Sequence, residues 1–246
     1  MFWRRKKKEL CYPTLAPGRV VYAIGDIHGR VDLLDRLQAS IDLVEDGRDE
    51  TVTEVYLGDY VDRGRDSSAV VDRLIARRDG NHDVVLLRGN HENMFQAFLG
   101  DKLPIREWQK YGGMETVMSY GVDPQSLPAD DPAAWVAAIR ALMPQSHLAF
   151  LRDLVDSWSI PGYFFAHAGI RPGLPLERQS ADDLLWIRDG FLGDPRDHGA
   201  VVVHGHTPSP QPEFFPNRIN LDTGAYLTSC LSCLRIDENG PALLDY

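Results

Sequence analysis

The 246-residue chain contains only three cysteines, Cys11, Cys230 and Cys233, an odd number that leaves no complete disulfide framework. No window approaches the roughly 18 uninterrupted apolar residues that a membrane span requires. Nor does an apolar stretch follow the first residues as a secretory signal would demand. Basic charge is scarce too: 26 lysines and arginines face 36 acidic residues, a formal charge of −10. Such a surface repels a polyanion, so a nucleic-acid duplex is not an expected partner. These absences imply an intracellular, cytoplasmic chain. The 43% apolar and 25% charged fractions are those of an ordinary globular protein.

The basic residues are unevenly placed, with five of the 26 in the run Arg4 to Lys8. A single-sign run at a terminus reads as a solvated tail. The expected division is a basic, flexible tail over 1–18 and one domain over 19–246. "CLSC" at 230–233 has the CxxC spacing of zinc and redox sites, but it lies in "TSCLSCLRI", which reads as a strand. Residues three apart on a strand point to opposite faces, so both thiols are read as small strand residues.

Five short apolar runs have the look of buried strands: "VVYAI" (20–24), "TEVYL" (53–57), "DVVLL" (83–87), "GYFFA" (162–166) and "AVVVH" (200–204). Val31, Leu34, Leu37, Ile41 and Val44 step along one helix face between the first two. Val70, Val71, Leu74 and Ile75 form a second stripe, with Ser67 or Ser68 as its N-cap, and Met94, Phe95, Phe98 and Leu99 a third. This alternation implies an α/β chain with a mainly parallel sheet. Residues 101–160, rich in Trp, Ala, Pro and Leu, read as a helical insertion or a cap over the site. The last stretch, "RINLDTGAYLTSCLSCLRID", reads as a β-rich, antiparallel closing portion.

Each apolar run ends in a polar cluster: Asp26 and His28; Asp59, Asp62 and Arg63; Asn90 and His91; His167; His204 and His206. One such cluster alone is commonly a turn or a strand-end cap. Five in succession are not explained that way, because a parallel sheet delivers its strand ends to one edge. Asp26 and His28 are two apart, so on an extended chain both leave from the same side. Carboxylate, imidazole and amide ligands without cysteine suit Mn²⁺ or Fe, with Zn²⁺ as a further choice. The number of ligand types exceeds what one ion needs and points to two ions sharing a carboxylate.

In order from residue 25 to 207, "GDIHG", "GDYVDRG", "GNHE", "HAG" and "GHT", followed by "LDTGA", resemble the signature of the phosphoprotein phosphatase family of metallophosphoesterases, above all its bacterial and bacteriophage members. The resemblance implies a calcineurin-like α/β fold, a central β-sandwich flanked by helices. It implies two divalent metal ions, Mn²⁺ first, with Asp26 and His28 on one, Asn90, His167 and His206 on the other, and Asp59 bridging. It makes His91 the general acid oriented by Asp62, Arg63 a phosphate clamp, and Arg188 in "LLWIRDGF" the second arginine. The implied reaction is direct attack by a metal-bridging hydroxide. Glu92 is expected to fix its turn, Asp222 to brace the periphery, and His204 to sit behind the ligands at best. His82, His147 and His198 are read as surface or satisfied core residues.

Asp62 in "VDRG" and Glu92 in "GNHE" match the protein-phosphatase signature, so the first expectation is a phosphoserine/phosphothreonine phosphatase. A symmetrical diadenosine polyphosphate hydrolase is the alternative, which "HAGI" fits. A non-catalytic scaffold ranks last, since neither the ligands nor His91 or Arg63 are missing.

Overall fold

In the computed structural model, which describes residues 10–80, 82–128 and 131–246, the first strand serves two cores at once. Val21 and Ala23 of β1 (Arg19–Ile24) face a second sheet, while Val20, Tyr22 and Ile24 face helices. The alternation continues as expected through α1 (Val31–Glu45), β2 (Thr51–Tyr56), α2 (Ser67–Asp79), β3 (Asp83–Leu86) and α3 (Asn90–Leu99). The inserted region forms α4 (Ile105–Trp108), α5 (Gly113–Ser119), α6 (Pro132–Leu142) and α7 (Gln145–Asp153), of which α4 and α6 pack on α3 and α5 and α7 on α2. Next come β4 (Ser157–Ile160), β5 (Tyr163–Ala166), α8 (Ala181–Trp186), α9 (Asp189–Leu192) and β6 (Val201–His204). The chain closes with β7 (Glu213–Phe215), β8 (Arg218–Asn220), α10 (Ala225–Thr228), β9 (Cys233–Asp237) and β10 (Gly240–Leu243).

Two five-stranded sheets result, ordered β10-β9-β1-β2-β3 and β4-β5-β6-β8-β7. They stack through Val21, Ala23, Val55, Leu57, Phe165, Val203, Ile219 and Leu234. Helices cover both outer faces, with α8 and α9 packing on Phe164 and Val202 of the second sheet. The architecture is the α/β sandwich with flanking helices that the motifs implied. Strands β1, β2 and β3 are parallel, as are β5, β6 and β8, so one edge of the sandwich collects their C-terminal ends. The closing portion is antiparallel at β9 and β10, but β8 joins β6 in parallel, against expectation.

Local corrections follow from particular contacts. Arg4 to Lys8 lie outside the described residues. Residues 10–18, expected in the tail, are fastened to the sandwich: the Leu15 N–H donates to Asp237 O at 2.9 Å and the Tyr163 hydroxyl to Pro13 O at 2.6 Å. Ser67 does not cap α2 but lies buried in its first turn, where its hydroxyl accepts the Asp62 N–H at 3.1 Å. Cys230 is exposed and precedes β9, so only buried Cys233 is a strand residue. Among the described residues no helix is long and apolar enough to cross a membrane.

The segment Asn90–Glu92 does not end a strand; it forms the first turn of α3, with Gly89 as N-cap. The cause is Glu92, whose buried carboxylate accepts four backbone N–H groups: Gly89 at 2.9 Å, Asp59 and Tyr60 at 2.8 Å, and Val61 at 3.2 Å. Burial and the charge of Asp59 push the Glu92 carboxyl up to about 7, against the pull of those donors. Gly89 has no room for a side chain, since a Cβ there would run into Asp59 Oδ1. Glu92→Gln turns one acceptor oxygen into a donor facing donors. It should lower the unfolding free energy by about 2–4 kcal/mol, read by urea denaturation at neutral pH; an unchanged midpoint would show that other contacts hold this loop.

Candidate active site

The loops after β1, β2, β5 and β6 and the first turn of α3 meet at the sandwich edge around a cavity of about 440 Å³. Its wall includes Asp26, His28, Asp59, Arg63, Asn90, His91, Arg188 and His206. The two other residues expected at the site touch this wall from behind: Asp62 contacts His91, and His167 contacts Asn90. All ten are therefore brought together.

The backbone is strained to do so. His28, Asp59, Asp62, Arg63 and His206 have φ between 46° and 70°, a left-handed region that non-glycine residues rarely occupy. Asp26 and His28 thus reach one cavity through a left-handed turn, not through the extended chain expected of them. The same break at His206 separates it from His204, whose buried ring packs 5.2 Å from Phe191 and points Nδ1 at Gly205 O at 3.0 Å, off the cavity wall.

Asp59 stands between two clusters. His28, Asp59 and His91 offer ligand atoms within 4.8 Å of one another, and so do Asp59, His167 and His206. One carboxylate oxygen, Oδ2, faces His28 Nε2 at 3.4 Å and His91 Nε2 at 3.8 Å; the other, Oδ1, faces His167 Nε2 at 3.4 Å. Burial alone would raise Asp59, but the surrounding imidazoles, His167 foremost, hold it below the usual carboxylate range. Oδ1 also accepts the His91 N–H at the start of α3 at 3.1 Å, where the helix presents positive charge.

The proton arrangement shows what this site is built to hold. His28 Nδ1 lies 2.8 Å from Val61 O and His167 Nδ1 lies 2.9 Å from Leu57 O. A carbonyl only accepts, so these nitrogens carry the protons and the opposite Nε2 lone pairs face the site. There, the bare Nε2 of His167 meets Asn90 Oδ1 at 2.9 Å, whereas His206, whose Nε2 accepts the Arg188 N–H, donates from Nδ1 to the same oxygen at 2.8 Å. Burial pushes His28 down to about 3 and lowers His167, so extra protons do not fill the gaps between these nitrogens and the oxygens of Asn90 and Asp59. Asp26 adds a buried oxygen, Oδ1, with no hydrogen-bond partner among the described residues. Burial, then the charges of Asp222 and Asp59, hold its carboxyl well above the usual range. Acceptors facing acceptors need a cation between them, and this nitrogen and oxygen donor set fits a divalent transition metal.

A second feature of the site is an imidazole held against a carboxylate. His91 Nδ1 lies 2.7 Å from Asp62 Oδ2, which leaves Nε2 toward the cavity. Burial would lower His91, yet Asp59 and Asp62 hold it above its ordinary value. Asp62 is itself gripped from the insertion, by the Trp108 indole N–H at 2.8 Å and the Thr116 hydroxyl at 2.6 Å. Neither residue was expected at the site. Two guanidiniums flank the clusters. Arg63 lies over Tyr226, 4.8 Å from its ring, donates to its hydroxyl, and approaches His91 Nε2 at 3.5 Å. Arg188 donates from Nε to His206 Nε2 at 3.0 Å.

The remaining histidines behave as expected: His147 is buried and paired with Asp72 and Tyr120 at 2.8 and 2.9 Å, and His82 and His198 are off the wall. Asp222 is on the wall, pushed up to about 6 chiefly by burial. Tyr111, Trp186 and Tyr226 also line the cavity. Trp186 and Tyr226 lay within two residues of motif positions, a signal that was available but carried no chemistry of its own.

Bis(5'-nucleosyl)-tetraphosphatase PrpE (asymmetrical) of Bacillus mycoides (strain KBAB4) is 26% identical over 234 residues, 87% of this chain and 89% of its own length. The symmetrical bis(5'-nucleosyl)-tetraphosphatase of Acidovorax sp. (strain JS42) is 31% identical over 170 residues, 56% of this chain and 58% of its own. A solved chain provisionally assigned as a diadenosine tetraphosphatase shares the fold with a TM-score of 0.61 at 22% identity, covering 94% of this chain and 96% of that one. A protein serine/threonine phosphatase from Saccharomyces cerevisiae shares it with a TM-score of 0.53 at 18% identity, covering 89% and 73%. The family model described as calcineurin-like phosphoesterase matches residues 19–230, and the chain belongs to that family.

Proposed function

We propose that this metallophosphoesterase hydrolyses bis(5'-nucleosyl) polyphosphates, with Asp26, His28, Asp59, Asn90, His167 and His206 as ligands of two divalent cations, Mn²⁺ foremost. The observation that carries the substrate is the length-wide likeness to the Bacillus mycoides tetraphosphatase, 87% of one chain against 89% of the other. The geometry supports it, because one arginine stands beside each histidine cluster, at His91 and at His206, where a chain of phosphates can engage both. When bound, the cations would supply Lewis acidity toward a phosphoryl oxygen and activate water. The chain's own groups do the rest. Arg63 and Arg188 present planar forks to phosphate oxygens. His91 Nε2 gives its proton to the departing oxygen, and Asp62 keeps the ring in the donor orientation.

The His91–Asp62 pair favours a second reading, phosphoserine or phosphothreonine hydrolysis. An alkoxide leaves poorly and needs an acid, whereas a nucleotide leaves more readily. The deciding experiment gives metal-reloaded enzyme diadenosine tetraphosphate and a phosphoserine peptide in parallel, with products resolved by chromatography. Nucleotide products from the first at far higher kcat/KM are expected; phosphate release from the peptide alone would install the second reading.

The acid assignment is tested by leaving group. His91→Ala should slow alkyl phosphate hydrolysis by about 10²–10⁴ and activated aryl phosphates far less. Trp108→Phe, which keeps the ring stacked 4.9 Å from Phe95 but loses the N–H, should reproduce the same bias on a smaller scale. Equal losses on both ester types would remove His91 from this role. For the ligands, calorimetric Mn²⁺ titration of chelator-stripped protein should give two sites. Asp59→Asn should weaken both and abolish turnover of every substrate, and a variant that retained two tight sites would sink the bridging role.

A further inference from the structure

We infer that Tyr111 and Trp186 are two nucleobase platforms, one at each end of the site. This rests on the dinucleotide reading above and assigns what holds the two ends of such a substrate. Among the described residues, the exposed large aromatic side chains are Tyr111, Trp186 and Phe215. The guanidinium of Arg218 covers Phe215 at 3.9 Å from its ring. The remaining two both line the catalytic cavity, although they are 45% and 38% exposed and a buried position would be less costly for either.

Their placement is paired. The Tyr111 ring stands edge-on to His91, with centroids 6.4 Å apart at 80°. The Trp186 ring stands edge-on to His206, with centroids 6.3 Å apart at 82°. His91 belongs to one cluster around Asp59 and His206 to the other, and each also neighbours one of the two arginines. Each half of the site thus repeats one set: imidazole, guanidinium and exposed aromatic face. A ligand with two aromatic ends joined by an anionic chain matches that repeat, and a phosphorylated serine does not.

Both rings are carried on backbone that the fold holds in place. Tyr111 precedes Gly112, whose carbonyl accepts the Arg63 N–H at 3.1 Å, so the phosphate clamp and this platform move together. Trp186 ends α8, whose last turn is closed by the Ile187 N–H donating to Asp183 O at 3.2 Å. Tyr226, the third aromatic residue on the wall, is occupied by Arg63 through its face and its hydroxyl and is not counted as a platform.

The test compares KM for diadenosine tetraphosphate with the inhibition constant of inorganic tetraphosphate, which has the charge but no base. Loss of one stacking face costs roughly tenfold in affinity. Trp186→Ala and Tyr111→Ala should each raise KM for the dinucleotide about that much and leave the inorganic inhibition constant unchanged. Trp186→Phe and Tyr111→Phe, which keep a ring, should stay near wild type. Unchanged KM in the alanine variants, or equal shifts for both compounds, would overturn the platforms while wild-type turnover of the dinucleotide kept the functional reading standing. A wild-type enzyme that binds inorganic tetraphosphate but does not cleave the dinucleotide would end both.

Discussion

The catalytic edge depends on one buried carboxylate that takes no part in the chemistry. Glu92 collects the N–H groups of Gly89, Asp59, Tyr60 and Val61, and so locks the start of α3 to the loop after β2. The first element supplies Asn90 and His91; the second supplies Asp59, Asp62 and Arg63. Two of those loop residues hold φ values of 70° and 67° and a third 54°, which an untethered chain would relax. Four hydrogen bonds to one buried carboxyl group are a large enough contribution to hold that strain. Gly89 is required because the carboxylates of Glu92 and Asp59 occupy the space where a side chain would begin.

Around this tether the fold assembles more negative charge than it neutralises. Asp26, Asp59 and Asp222 are buried on one wall with Glu92 behind them, and burial raises Asp26, Asp222 and Glu92. The imidazoles cannot offset this by protonation, because their own burial lowers them, with His91 the exception. That exception is itself built: Asp62 faces His91, and Asp62 is satisfied by Trp108 and Thr116 rather than by solvent. Of the acidic residues, Asp62 is therefore taken up by His91 and Glu92 by backbone N–H groups, while Asp26 and Asp59 are left toward the cavity.

Much of this was readable before any coordinates. Buried parallel strands leave apolar runs, so the polar clusters could be placed together at strand ends from order, and the family resemblance then singled out Asp26, His28, Asp59, Asn90, His167 and His206 among them. What the sequence hid was set by long-range contact. Trp108 and Thr116 lie 46 and 54 residues from the carboxylate they hold, in a segment whose composition announces only helix. The helical start of "GNHE" was concealed because its cap is a glycine, which carries no side-chain signal. Ser67 looked like a cap and became a buried acceptor, since the Asp62 N–H outcompeted the helix end. Cys230 looked like a strand residue because "TSCLSCLRI" alternates well on paper, but α10 ends at Thr228, Ser229 turns the chain at φ 58°, and the strand starts only at Cys233.

The bond between the His206 N–H and Asp26 Oδ2, at 3.0 Å, joins residues 180 apart in the chain and one sheet to the other. The first sheet is itself completed late, because β1 pairs on one side with β9. A ribosome therefore exposes Asp26, His28 and Asp59 long before the groups that meet them around the cavity exist. A nascent chain halted before His206 has half a site and an unpaired strand edge. The closed cavity edge is thus a property that the chain gains only once His206 and β9 have both been made.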